Sequence, residues 1–203
     1  MKDPRHPPSC SGLLLLAFLA LPLSAHAGDV EGSIYPVGEL APRASRATVG
    51  VGDPAPPFTL PAVVGGPVSL EAYRGRKNVV LSFVPAAWTP VCSTQWPQYH
   101  AARSFFEEHD AVLLGITVDN VPTLYAWTRQ LSPDGQGFWF PVLSDFHPHG
   151  AVSAAYGLLR TGGTSERALV VIDKGGMIRY LEVMDINRLP HFSLLERVLE
   201  GLE

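Results

Sequence analysis

Two short apolar runs constrain this chain most: residues 78–84 (Asn-Val-Val-Leu-Ser-Phe-Val) and residues 111–118 (Ala-Val-Leu-Leu-Gly-Ile-Thr-Val), separated by residues 93–109 at helical spacing. Runs this short and this rich in β-branched residues read as strands buried on both faces. A buried strand followed by a helix and a second buried strand implies a sheet covered by helices. Further along, Asp119-Asn120-Val121-Pro122 opens a helix over 123–131, and Pro133-Asp134-Gly135 marks a turn in the loop 132–137. Another helix is expected over 150–156. Residues 167–173 and 177–181 bracket Lys174-Gly175-Gly176 as a β-hairpin, and a last helix over 190–202 carries Phe192, Leu195, Val198, Leu199 and Leu202 on one face. Nearer the N-terminus, residues 58–60 and 68–70 flank Gly65-Gly66 as a small hairpin. The expectation is an α/β fold: a central mixed β-sheet flanked by helices, with an N-terminal β-hairpin.

The 203 residues suffice for one domain with a sizeable core. Residues 1–27 read as a secretory signal peptide. Lys2 and Arg5 precede an uncharged apolar run over 13–23, and Ala25-His26-Ala27 forms a small-residue cleavage site before Gly28. The run is too short to cross a bilayer comfortably, so export to the periplasm or beyond is expected, with no membrane association after cleavage. Residues 28–48, rich in Gly, Pro, Ala and Ser, read as a flexible, loosely packed arm, and the folded domain spans 49–203. Net charge is −4 with no basic cluster, which excludes the electrostatic footprint of a nucleic-acid or anionic-membrane binder.

Two cysteines occur in the whole sequence, and Cys10 precedes the apolar run, where cleavage would discard it. The exported chain then keeps only Cys92, so no internal disulfide can form. Cys92 falls where the strand 78–84 hands over to the helix 93–109. Unpaired N–H groups and the positive end of the helix dipole favour an anion there, which is the reactive thiolate. A buried free cysteine serving as a small hydrophobe is the plainer alternative.

Pro85-x-x-x-Thr89-x-x-Cys92 resembles the active-site signature of the peroxiredoxins, thiol-dependent peroxidases of thioredoxin-like fold. Residues 68–83, 140–145, 155–157 and 167–173 resemble family segments in family order. The resemblance implies a reaction with hydrogen peroxide or organic hydroperoxides through a cysteine sulfenic acid, without cofactor. It also implies homodimerisation. Cys92 is the implied nucleophile. Thr89 would accept the peroxide proton or donate to the thiolate, and Pro85, lacking an N–H, would shield the pocket from water. Arg167 would favour the thiolate and polarise the peroxide, with Arg160 and Arg103 as rival arginines. With no resolving cysteine, the chain resembles a one-cysteine member needing an external thiol reductant: a thioredoxin-like or glutaredoxin-like protein, or a small thiol.

Three departures from the family pattern occur. Gln95 occupies a position where many relatives carry Glu, Trp88 one where Phe is common, and Pro97 is expected to kink the cysteine helix. His147 and His149 with Asp145 suggest a metal site, but too few ligands cluster there, and no metal is expected. Trp96, Tyr99, Phe105 and Phe106 are read as core and dimer-surface residues. A thiol–disulfide oxidoreductase or copper-handling protein would need a second cysteine. A non-enzymatic redox sensor is the alternative from another class.

Overall fold

The computed structural model describes residues 30–202; the expected signal peptide and Cys10 lie outside them. In chain order the elements are α1 (Val30–Ser33), β1 (Thr59–Leu60), β2 (Val68–Ser69), β3 (Asn78–Phe83), α2 (Pro90–Ala101), α3 (Arg103–Glu108), β4 (Ala111–Thr117), α4 (Val121–Leu131), β5 (Val142–Ser144), α5 (Ala151–Ala155), β6 (Ala168–Ile172), β7 (Ile178–Val183) and α6 (Ser193–Glu200). β1 and β2 form the antiparallel hairpin. The central sheet has the order β5-β4-β3-β6-β7. β3, β4 and β5 run parallel, whereas β6 is antiparallel to β3 and to β7. This is the mixed sheet expected. Among the described residues no helix is long and apolar enough to cross a membrane.

All six residues of β3 are buried, as a central strand covered on both faces requires. Strand periodicity divides the core in two. Val80, Leu113, Leu169 and Val171 face one side with residues of α2, α3, α4 and α6. Val79, Leu81, Phe83, Leu114, Val170 and Ile172 face the other, with Val152 of α5, Tyr156, and Phe58 and Leu60 of the hairpin region. The register Phe83↔Ala168 is the pairing that positions the site, because it sets the residue before β6 beside the residues leaving β3.

Some boundaries differ from expectation. The helix expected over 93–109 is two helices, broken at Ala102, whose N–H is shared between the Gln98 and Tyr99 carbonyls. α2 runs unbroken past Pro97. The proline takes away the bond its N–H would make to the Ser93 carbonyl, yet the break falls five residues later, at Ala102. α4 starts at Val121 because Asn120 caps it, its side chain accepting from the Thr123 N–H at 3.0 Å. α6 starts only at Ser193, and Leu70 belongs to a 3₁₀ turn, Leu70–Tyr73. Residues 34–58 contain no helix or extended strand, yet residues 35–48 follow the domain surface through specific hydrogen bonds.

Candidate active site

β3 ends at Phe83, and the chain turns through Pro85-Ala86-Ala87-Trp88 into α2. Trp88 adopts φ 62°, a left-handed conformation costly for a bulky side chain, so surrounding contacts must hold it. Asp119, just after β4, supplies one of them: its Oδ2 accepts the Ala87 N–H at 2.8 Å and the Thr117 hydroxyl at 2.7 Å. Thr89 takes the N-cap position in extended conformation and Pro90 is the first helical residue, where its missing N–H costs nothing. Cys92 is therefore third in α2, among the N–H groups with no partner inside the helix. Its side chain is fully buried.

Arg167 precedes β6 and is 2% exposed. Its guanidinium directs Nη2 at Cys92 Sγ, 3.4 Å away, and Nη1 at Gln95 Oε1, 2.5 Å away. Its Nη2 and Nε also donate to the Ile186 carbonyl, at 3.1 and 3.3 Å. The acceptors it meets apart from the sulfur are neutral: the Gln95 amide oxygen and the Ile186 carbonyl. Among the described residues no carboxylate pairs with Arg167, so its charge is left to the sulfur. Here the Gln95 departure has a structural consequence. A glutamate would neutralise the cation, whereas the amide accepts from Arg167 and donates through Nε2 to Ser82 Oγ and Tyr99 Oη, both at 3.2 Å. Burial pushes the Tyr99 phenol up to about 12, against the opposing effects of Gln95 and Arg167, so Tyr99 stays neutral and does not compete for the guanidinium.

The floor beneath α2 is built from two small residues in register, Ser82 of β3 and Gly115 of β4. Ser82 Oγ also accepts the Trp96 indole N–H at 3.1 Å. A Cβ on Gly115 would lie 2.8 Å from Trp96 Cζ2, so the glycine makes room for the indole. Sequence reading missed both residues, Asp119 and the Ile186 carbonyl. The available signal was that Ser82 and Gly115 interrupt otherwise apolar strands.

A cleft of about 380 Å³ opens above the site, lined by Pro85, Thr89, Val91, Arg167 and Ile186 on the domain side. Pro85 is buried in its wall. The Thr89 hydroxyl lines it while donating to the Ala86 carbonyl at 2.9 Å, which leaves its oxygen lone pairs free to accept a proton. The structure thus brings Cys92, Thr89, Arg167 and Pro85 together. The rival arginines lie elsewhere: Arg160 pairs with Glu166 at 2.6 Å, and the exposed Arg103 pairs with Glu107 at 2.7 Å. Asp145 is occupied in capping α5, accepting from the Val152 and Ser153 N–H groups, and His149 bonds the Gly163 carbonyl. Trp96, Tyr99 and Phe106 are buried core residues and Phe105 is half-buried.

The pattern of the AhpC/TSA family matches residues 51–181, which include Pro85, Thr89, Cys92 and Arg167. The chain belongs to the AhpC/TSA family. Among its relatives, alkyl hydroperoxide reductase E of Mycobacterium tuberculosis is 42% identical over 134 residues, which cover 66% of this chain and 84% of that protein. Peroxiredoxin TSA2 of Saccharomyces cerevisiae is 36% identical over 155 residues, 73% of this chain and 78% of that one. The solved structure of the reduced 2-Cys peroxiredoxin of Plasmodium vivax superimposes with a TM-score of 0.68 at 31% identity, covering 74% of this chain and 80% of that one. The resemblance read from the sequence and the thioredoxin-like architecture both hold. The AhpC/TSA match begins at residue 51, after the arm.

Proposed function

We propose that this AhpC/TSA-family chain is a thiol-dependent peroxidase whose nucleophile is Cys92, recycled by an external thiol. The observation that carries the reading is the buried Arg167 guanidinium, 3.4 Å from Cys92 Sγ and paired with no carboxylate among the described residues. The thiolate attacks one oxygen of ROOH, forming the S–O bond as the O–O bond breaks. The sulfur is oxidised to the sulfenate, which takes a proton from water to become sulfenic acid, while the departing oxygen takes the electron pair and the peroxide proton, leaving as ROH. Arg167 stabilises the charge that shifts from sulfur to the leaving oxygen, Thr89 Oγ accepts the peroxide O–H, and Pro85 presents no donor to water. Cys92 is itself buried, and Arg167, which contacts its Sγ, lines the cleft.

The sulfenic acid is returned to the thiol by two equivalents of external thiol, which leave as a disulfide with release of water. A one-cysteine cycle and export through residues 1–27 belong to the same proposal, supported by Cys92 being the one free cysteine among the described residues and by the signal-like N-terminal pattern. The test is peroxide consumption with excess dithiothreitol, comparing wild type with Cys92→Ser. Many turnovers that vanish in the variant are expected; equal, background-level loss in both proteins overturns the reading. Recovery of exported protein beginning at Gly28 tests the leader.

A further inference from the structure

The chemistry proposed for Cys92 leaves a second buried charge cluster unused, one residue from Arg167. Glu166 is fully buried and Arg160 is 9% exposed, and Arg160 Nη1 donates to Glu166 Oε2 at 2.6 Å. Such a pair is costly to bury unless every remaining donor and acceptor is used. Here the second oxygen of Glu166 and the second terminal nitrogen of Arg160 are used on the backbone of the N-terminal arm. Glu166 Oε1 accepts the Ala44 and Ser45 N–H groups at 2.6 and 2.7 Å, and Arg160 Nη2 donates to the Ala41 carbonyl at 2.8 Å.

Two more attachments place the arm across the active site. The Asn187 side chain bonds both backbone groups of Leu40, accepting the N–H at 2.9 Å and donating to the carbonyl at 2.8 Å, while the Ile186 N–H donates to the Pro42 carbonyl. At the far side the Tyr35 N–H donates to the carbonyl of the left-handed Trp88 at 2.7 Å, immediately before Thr89. The arm therefore bridges the two rims of the cleft. Between the attachments, Val37, Gly38, Glu39 and Leu40 form a wall of the cleft that contains Pro85, Thr89 and Arg167.

Size and chemistry decide what this wall accommodates. Hydrogen peroxide is scarcely larger than water, whose share of liquid volume is about 30 Å³. The cleft, at about 380 Å³, has the dimensions of a small organic ligand site. Val37 and Leu40 leave 41% and 42% of their surface open, facing Pro85, Pro90, Val91 and Ile186 rather than filling the core. The lining carries one carboxylate, Glu39, and one cation, Arg167, so its formal charge favours neither sign of substrate.

Resting on the peroxidase reading, we propose that residues 37–40 of the arm are the specificity-determining wall of the site, holding the carbon skeleton of a neutral, apolar organic hydroperoxide while Arg167 and Thr89 receive its O–O group. The Arg160–Glu166 pair and Asn187 are positioning residues that act through the arm backbone.

The test is a single-turnover measurement without reductant. Wild type and the double variant Val37→Ser/Leu40→Ser are mixed with hydrogen peroxide or with cumene hydroperoxide, then quenched with iodoacetamide. Mass spectrometry reads the fraction of Cys92 still alkylatable. Both substituted side chains are surface-exposed, so folding is not at stake. The ratio of the cumene hydroperoxide rate constant to the hydrogen peroxide rate constant is expected to fall about tenfold, the scale of lost apolar contacts in a hydrophobic site. An unchanged ratio, including a parallel fall in both constants, overturns the proposal while the peroxidase reading stands. A wild-type protein whose Cys92 reacts with neither peroxide overturns both.

Discussion

Replacing Arg167 with methionine isolates the charge that the structure sets against Cys92, because methionine keeps much of the length and none of the donors. At 3.4 Å and an effective dielectric of about 20, a unit charge pair is worth about 5 kcal/mol, which bounds the effect from above. Only the part that grows as charge leaves sulfur for the departing oxygen accelerates the reaction. Removing one preorganised donor of this kind typically costs about 3–4 kcal/mol, so the second-order rate of Cys92 oxidation should fall about 10²- to 10³-fold. Lysine should recover only part of this, since its single ammonium cannot reproduce a fork held simultaneously by Gln95 Oε1 and the Ile186 carbonyl. The assay is quenched-flow alkylation of Cys92 after mixing with hydrogen peroxide, with circular dichroism and urea unfolding to verify that each variant is folded. Stability should also drop, because losing the guanidinium leaves those two buried acceptors without a donor, at about 1–3 kcal/mol each. A folded Arg167→Met protein that oxidises within about threefold of the wild-type rate would refute the assignment of Arg167 as the stabilising cation.

Gly115→Ala should push Trp96 off the sheet, since the new Cβ would sit 2.8–3.1 Å from three indole carbons. Overpacking of this kind costs about 1–3 kcal/mol; thermal unfolding should show it as a lower Tm of about 2–4 °C per kcal/mol, and an unchanged Tm would contradict the packing described. Asp110 receives Lys174 at 2.6 Å and Lys77 at 2.5 Å, and these bonds, Lys174 foremost, hold its carboxyl down at about 2 from an ordinary 3.8. A depressed folded-state value means the contribution is present above the ordinary carboxylate range and is lost as pH falls from about 4 through about 2. The stability gap between wild type and Asp110→Asn should therefore close across that interval and narrow in high salt; a gap of equal size at about pH 2 and about pH 7 would be inconsistent with it.

Local pattern made several features of this protein legible before any tertiary contact. β3 and β4 announce themselves by length and β-branched content, and the position of Cys92 at a strand-to-helix junction follows from the order of elements alone. Short-range chemistry such as the Asn120 cap and the Lys174-Gly175-Gly176 turn is readable for the same reason: each is decided by residues within a few positions. Where tertiary packing competes with local preference the reading slips. The single helix expected over 93–109 is broken at Ala102, and α6 starts three residues late.

The arm shows the limit most plainly. Residues 35–48 are held mostly through their backbone groups, bonded to side chains at 160, 166 and 187 and to carbonyls and N–H groups elsewhere in the domain, and a backbone donor leaves no trace in composition. A buried β-α-β core, a lone thiol at a helix start and the family motif around it are all legible in the chain, since each depends on periodicity or on neighbouring residues. Which of three arginines meets the thiol is set by long-range strand pairing. Arg167 and Cys92 are 75 positions apart, and they touch because the antiparallel register Phe83↔Ala168 brings the start of β6 beside the loop leaving β3. A one-residue slip in that register would turn the guanidinium to the opposite face of the sheet.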